Sequence, residues 1–206
     1  MEQRVAALKQ SIAESQARLR KYEWVETTIV SLKGEEKDRK QQRCYYGTDG
    51  KVQKILLDEE KAAPPSGGRL KQRVVQKKTG EMKDYMESAG ALIQQYVPPN
   101  PADIDSAKKR GKVVIKPGQD GRVRLEFTDY IKPGDLLAVD IDAAANRLLG
   151  LNVNTYLDKA EDAVTLSVGF AALPDGTNYN AQTTLEAKAK NITVVVQNSG
   201  HRPVGQ

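Results

Sequence analysis

Two hydrophobic periods divide this chain. From Lys112 to Gln197 the apolar positions return every second residue: Val123, Leu125 and Phe127 alternate with Arg122, Arg124 and Glu126, and Val164, Leu166, Val168 and Phe170 alternate with Thr165, Ser167 and Gly169. That is the period of a strand with one face buried. Turn residues punctuate the runs at Pro117-Gly118-Gln119-Asp120-Gly121, Lys132-Pro133-Gly134 and Pro174-Asp175-Gly176. Short strands joined by tight turns predict an antiparallel meander, because parallel pairing needs long crossovers.

The period changes in the first half. Val5, Leu8, Ile12 and Leu19 recur at helical steps between Glu2 and Arg20, which predicts an N-terminal amphipathic helix. The run Tyr22 to Leu32 is aromatic and β-branched and predicts a first strand. Glu36 to Tyr46 is polar through its middle and reads as an edge or solvent-facing strand. The Gly47-Thr48-Asp49-Gly50 turn returns the chain as a third strand from Lys51 to Leu57. A loop is expected over Asp58 to Gly68. The basic Arg69 to Lys78 segment reads as the first turns of a helix, or as a short strand before one.

From Thr79 to Pro99, the residues Met82, Tyr85, Met86, Ala89, Ile93, Tyr96 and Val97 fall on one helical face, with Thr79 as N-cap and Pro98-Pro99 as terminator. Asn100 and Pro101 open a short third helix that Gly111 closes. One apolar sheet face needs a cover, and the helices are the cover available. The expected fold is therefore α+β: a curved antiparallel sheet, a half-barrel, packed on the central amphipathic helix with the N-terminal and short third helices beside it. Residues 1–198 form one domain in this reading, and 199–206 a flexible C-terminal tail holding His201.

Composition narrows the chemistry. The chain has 206 residues, and no run approaches the roughly 20 apolar residues of a membrane-spanning helix. Its net charge of +5 is spread over 32 basic and 27 acidic residues that interleave, which argues against nucleic acid as a partner. One cysteine, Cys44, and one histidine, His201, leave no material for a disulfide, a conventional zinc site or a triad. Cys44 reads as a small core-facing residue. Asp140 and Asp142 are two apart on one strand; they could share acid–base work or a hard cation, but a solvated strand face explains them more simply. The glycine pairs lack the context of a phosphate loop, and Asn191-Ile192-Thr193 is a sequon set within a strand. No catalytic residue, metal or cofactor is expected, and the protein reads as a non-enzyme.

The apolar inventory points elsewhere. Met82 and Met86 flank Tyr85, and methionine fills adaptable apolar space. A sheet curved over such a face can enclose a cavity for an apolar ligand. The stretches YEWVETT, CYYGTDGKVQK, GEMKDYM, YVPP, LNVNTYLD and DAVTLSVGFAALPDGTNY, in this order of elements, make the chain similar to uncharacterised bacterial secreted proteins related to the periplasmic lipoprotein-sorting carriers of the LolA/LolB-like fold. The resemblance implies an acyl chain or lipoprotein lipid held between sheet and helix, and the helix-on-meander pattern itself gives Trp24, Met82, Tyr85, Met86, Ile93, Leu166, Val168 and Phe170 as the cavity candidates. It also implies a periplasmic or secreted protein whose leader is missing from this chain. The polar start MEQRVAALKQ suits a cytoplasmic protein equally. The competing expectation is a structural or interaction module that self-associates or docks a protein partner without a small ligand.

Overall fold

The computed structural model describes residues 2–61 and 69–205. The order is α1 (Glu2–Leu19), β1 (Tyr22–Leu32), β2 (Glu35–Tyr46), β3 (Val52–Lys61), α2 (Arg69–Ile93), α3 (Pro101–Lys109), β4 (Val113–Pro117), β5 (Arg122–Thr128), β6 (Leu136–Asp142), β7 (Arg147–Tyr156), β8 (Ala163–Ala172), β9 (Asn178–Ala187) and β10 (Ile192–Pro203). All ten strands lie in a single sheet in the order β3-β2-β1-β10-β9-β8-β7-β6-β5-β4, and every neighbouring pair is antiparallel.

Local chemistry explains many of these boundaries. Lys33 and Gly34 form a two-residue loop between β1 and β2 with φ of +54° and +80°. That mirror-image turn matches the natural strand twist, and glycine takes the second position without steric cost. Asn100 caps α3 by accepting the Ala102 N–H at 2.9 Å, Pro101 follows it, and Gly111 sits beyond the end at φ +68°.

The antiparallel meander expected from the sequence is present. The half-barrel wrapped on a central helix is not: the ten strands form one open sheet with free edges at β3 and β4, and three helices accompany it. The chain passes from one edge to the other through α2 and α3, then returns strand by strand until β10 pairs with β1. Among the described residues, the face of α2 that is buried is its C-terminal end. Ala89, Leu92 and Ile93, with Tyr96 and the Ala107 of α3, pack on Phe127, Leu137, Leu151, Val153, Val164, Leu166 and Val168, which belong to β5 through β8. Met82, Tyr85 and Met86 stay half-buried.

Other expectations are corrected in detail. Thr79 is an interior residue rather than an N-cap, because the helix begins at Arg69, and it ends at Ile93, ahead of Pro98-Pro99. β2 is not an edge; it lies between β1 and β3. Several of its side chains are partnered along or across the strands, as in the Arg39 pair with Glu36 at 2.8 Å and the Gln41 bond to Thr27 at 3.4 Å, while Asp38 Oδ1 is buried without a hydrogen bond among the described residues. The expected loop starts later than Asp58, since β3 continues to Lys61, and the rest of that loop lies outside the described residues. β10 runs to Pro203 and takes up most of the expected tail.

α1 is tied to the sheet largely by polar contacts. Ser15 is buried in the middle of its stripe and accepts the Asn178 N–H at 3.2 Å, while Arg18 donates to the buried Thr177 hydroxyl at 3.0 Å. The one carboxylate among the described buried residues is Asp135, which is 2% exposed. Its carboxylate accepts the backbone N–H groups of Tyr130, Ile131 and Lys132 and the Tyr96 hydroxyl at 2.6 Å. Since Tyr96 spends its one proton there, the Thr155 hydroxyl 2.8 Å away donates to the Tyr96 oxygen.

Replacing Asp135 by Ala strands several buried donors at once and is expected to cost about 3 kcal/mol, against about 1 kcal/mol for Tyr96→Phe, which removes one hydroxyl from an otherwise intact network. Urea denaturation of the two variants beside the parent checks both the direction and the order.

Candidate functional site

The residues expected to line a cavity do not share one space. Ile93, Leu166 and Val168 touch within the closed core, each less than a tenth exposed, and Phe170 packs against its margin. Tyr85 points its hydroxyl at Asp162, beside the turn between β7 and β8, and donates to it at 2.6 Å. Desolvation, and then that bond to a carboxylate, push the phenol well above its ordinary range. The Lys190 ammonium stands 5.5 Å from the centre of the same ring. Tyr85 is thereby a tether of α2 to the sheet. Met82 and Met86 flank it, half-buried.

Trp24 belongs to a different cluster. Its ring lies 5.7 Å from Tyr46 and 5.8 Å from His201, the latter nearly parallel at 13°, and His201 in turn lies 4.1 Å from Tyr179. The indole N–H donates to Asn198 Oδ1 at 3.0 Å, and Asn198 donates to the Asn180 carbonyl. Cys44, paired with Trp24 in the β1–β2 ladder, is fully buried, and desolvation pushes its thiol up. The histidine expected in a loose tail is thus part of an aromatic stack, because β10 keeps its pairing with β1 as far as Pro203. Burial pushes its imidazole below the ordinary value of 6.5.

Asp140 and Asp142 do not converge. Asp140 is held by Arg124 at 2.9 Å, and Arg124 also bonds Glu126, which takes Lys116 at 2.7 Å. Gly150 leaves room for that carboxylate, since a Cβ there would come within 3.2 Å of Asp140 Oδ2. Asp142 instead accepts the N–H groups of Ala145 and Ala144 and a bond from Arg147, and these hold its carboxyl below the usual range. A hollow of about 460 Å³ opens beside the first group, lined by Lys116, Pro117, Gly118, Arg122, Val123, Arg124, Asp140 and Leu149. A second, of about 270 Å³, lies over Asn152, Asn154, Thr165, Ser167, Thr184 and Glu186 with three apolar neighbours. Both are lined by strand residues, the first also by Gly118 in the turn between β4 and β5, and no residue of α2 takes part.

The feature that the sequence reading passed over is the β3 edge. Val52, Ile55, Leu56 and Leu57 are exposed by 39%, 42%, 51% and 54%, on a strand with β2 on one side and, among the described residues, no strand on the other. In the ladder Ile55 stands opposite Arg43 and Leu56 opposite Gln42, so the two point to opposite faces, and a register shift beside them leaves Leu57 without a partner on β2. Apolar surface therefore wraps the edge on both faces. The other edge is shorter: β4 has five residues, exposes Val114 and Ile115, and ends on Pro117. A proline-ended short strand is a protected edge; a ten-residue strand free of proline is an open one. The signal was present as Ile55-Leu56-Leu57, an unbroken apolar run where a half-buried strand should alternate.

No protein-family model matches the chain, and no curated protein matches it either. Among the described residues, no helix is long and apolar enough to cross a membrane.

The His201 stack gives a pH test. With its folded pKa lowered, the neutral ring is favoured by folding, so its contribution is complete above about 6.5 and is lost as pH falls, when only the unfolded chain takes the proton readily. Between about pH 8 and about pH 5 the parent should lose more thermal stability than His201→Phe, read as the difference between their melting temperatures at each pH.

Proposed function

We propose that this protein is a non-catalytic interaction module that receives an extended protein segment as an added strand along β3. The observation that carries the reading is the exposed run Val52, Ile55, Leu56 and Leu57 on an unpaired ten-residue edge. An edge strand offers a row of backbone donors and acceptors, which supply affinity, while side chains on its two faces supply selectivity. Lys51 and Lys54 precede the apolar run and Asp58 follows it. An antiparallel ligand would therefore carry acid toward its C-terminal end, beside the lysines, and base toward its N-terminal end, with apolar residues between.

An acyl-chain carrier would need space between α2 and the sheet. The described core residues there are packed on one another, and no observation favours that reading over the edge.

Selection of displayed random decapeptides on the purified protein tests the proposal. Enriched peptides should be strand-forming with the stated charge order, and their affinity should fall about tenfold for Leu56→Lys, which places a charge in the middle of the apolar run. Enrichment indifferent to that substitution, or no enrichment at all, would count against the β3 edge as the docking element.

A further inference from the structure

The edge reading does not by itself say which chain supplies the added strand, and the charge order of β3 selects one. Resting on that reading, we propose that the partner is a second copy of this chain, joined β3 to β3 in antiparallel orientation about a two-fold axis at Leu56, so that two ten-stranded sheets become one.

The strand is complementary to itself in only one direction. Lys51 and Lys54 lie on one side of Leu56, and Asp58 begins an acidic stretch on the other. Antiparallel pairing about Leu56 sets Lys54 of each copy opposite Asp58 of its partner and brings Val52 and Gln53 opposite Glu60 and Glu59, with only Lys51 opposite a like charge, Lys61, whereas parallel pairing sets every charge on its like. Lys54 already bonds Glu26 at 2.6 Å within its own chain, so the complementarity acts through the overall charge polarity of the strand.

The apolar run makes the same choice. Ile55, Leu56 and Leu57 are centred on Leu56, and a two-fold axis there lays the run on itself. Leu56 meets its own copy, and Leu57, left without a partner by the register shift, falls opposite Ile55 of the second chain. The exposed apolar surface lies on both faces of the strand, so a helix resting on one face would leave the other bare. A strand added in plane covers both. A head-to-tail arrangement would use β4 as the acceptor, and its five residues ending on Pro117 cannot match ten. The two-fold contact is closed, since both copies spend the same edge.

Sedimentation velocity over a wide concentration range, together with mild oxidation of variants that carry one exposed cysteine beside the buried Cys44, tests the inference on the full chain. The parent should form a dimer, and Leu56→Lys should weaken it about a hundredfold, because one substitution alters both sides of the axis; circular dichroism confirms that the variant is folded. Leu56→Cys should cross-link to its own copy rapidly, since antiparallel neighbours at an axis approach within disulfide range, while Val204→Cys, an exposed control, should not. A dimer that survives Leu56→Lys, or cross-linking no faster at 56 than at 204, overturns the inference by placing self-association elsewhere. A chain that stays monomeric yet binds selected peptides through Leu56 overturns the inference and leaves the edge reading standing; a monomer that binds none removes both.

Discussion

The ladder between β1 and β10 is the constraint on which the sheet depends. It pairs Tyr22 with Pro203 at one end and Leu32 with Ile192 at the other, so the first strand of the chain and the last are hydrogen-bonded along nearly their whole length. Without it there would be a three-stranded N-terminal unit and a seven-stranded meander with no shared backbone bonds. With it, Thr28, Val30 and Leu32 continue the row of Val196, Val194 and Ile192, which in turn continues Thr183, Leu185 and Ala187 on β9. The same ladder carries His201 to Trp24 and fixes the aromatic stack.

The second support is at the other half of the sheet. Asp135 closes the turn before β6 by binding three successive backbone N–H groups, and its remaining bond reaches Tyr96, just beyond the end of α2. A buried carboxylate is costly unless its lone pairs are filled, and here they are. The helix is thereby anchored at its C-terminal end by one polar node and a closed apolar cluster, and by Tyr85 on Asp162 about two turns earlier. Ile93, Leu166 and Val168, three of the candidate cavity residues, pack within that cluster.

Much of the secondary structure was legible because it is locally encoded. The bounds of β1 follow from an aromatic and β-branched run, and those of α3 from Asn100, Pro101 and Gly111. What escaped was set at a distance. An amphipathic stripe says that a face of α2 is covered, but not that among its described residues only Ala89, Leu92 and Ile93 are buried; the polarity of β2 suggested an edge or solvent-facing strand, and the sheet order puts it between β1 and β3. His201 has no local signal at all, since its place depends on the pairing of β10 with a strand at the other end of the chain. The two carboxylates Asp140 and Asp142 looked equivalent in sequence, but Asp140 lies opposite Arg124 inside the sheet, whereas Asp142 ends β6 and accepts the N–H groups of Ala144 and Ala145 in the turn that follows.

The position of β10 in the middle of the sheet also orders events during synthesis. β1 leaves the ribosome early with β2 and β3, yet its second neighbour is the final strand of the chain. Until that strand arrives, the nascent protein carries two open edges on its first three strands, one of them temporary. Pairing of such sequence separation is slow to form, and a long exposed edge invites mispairing in the interval.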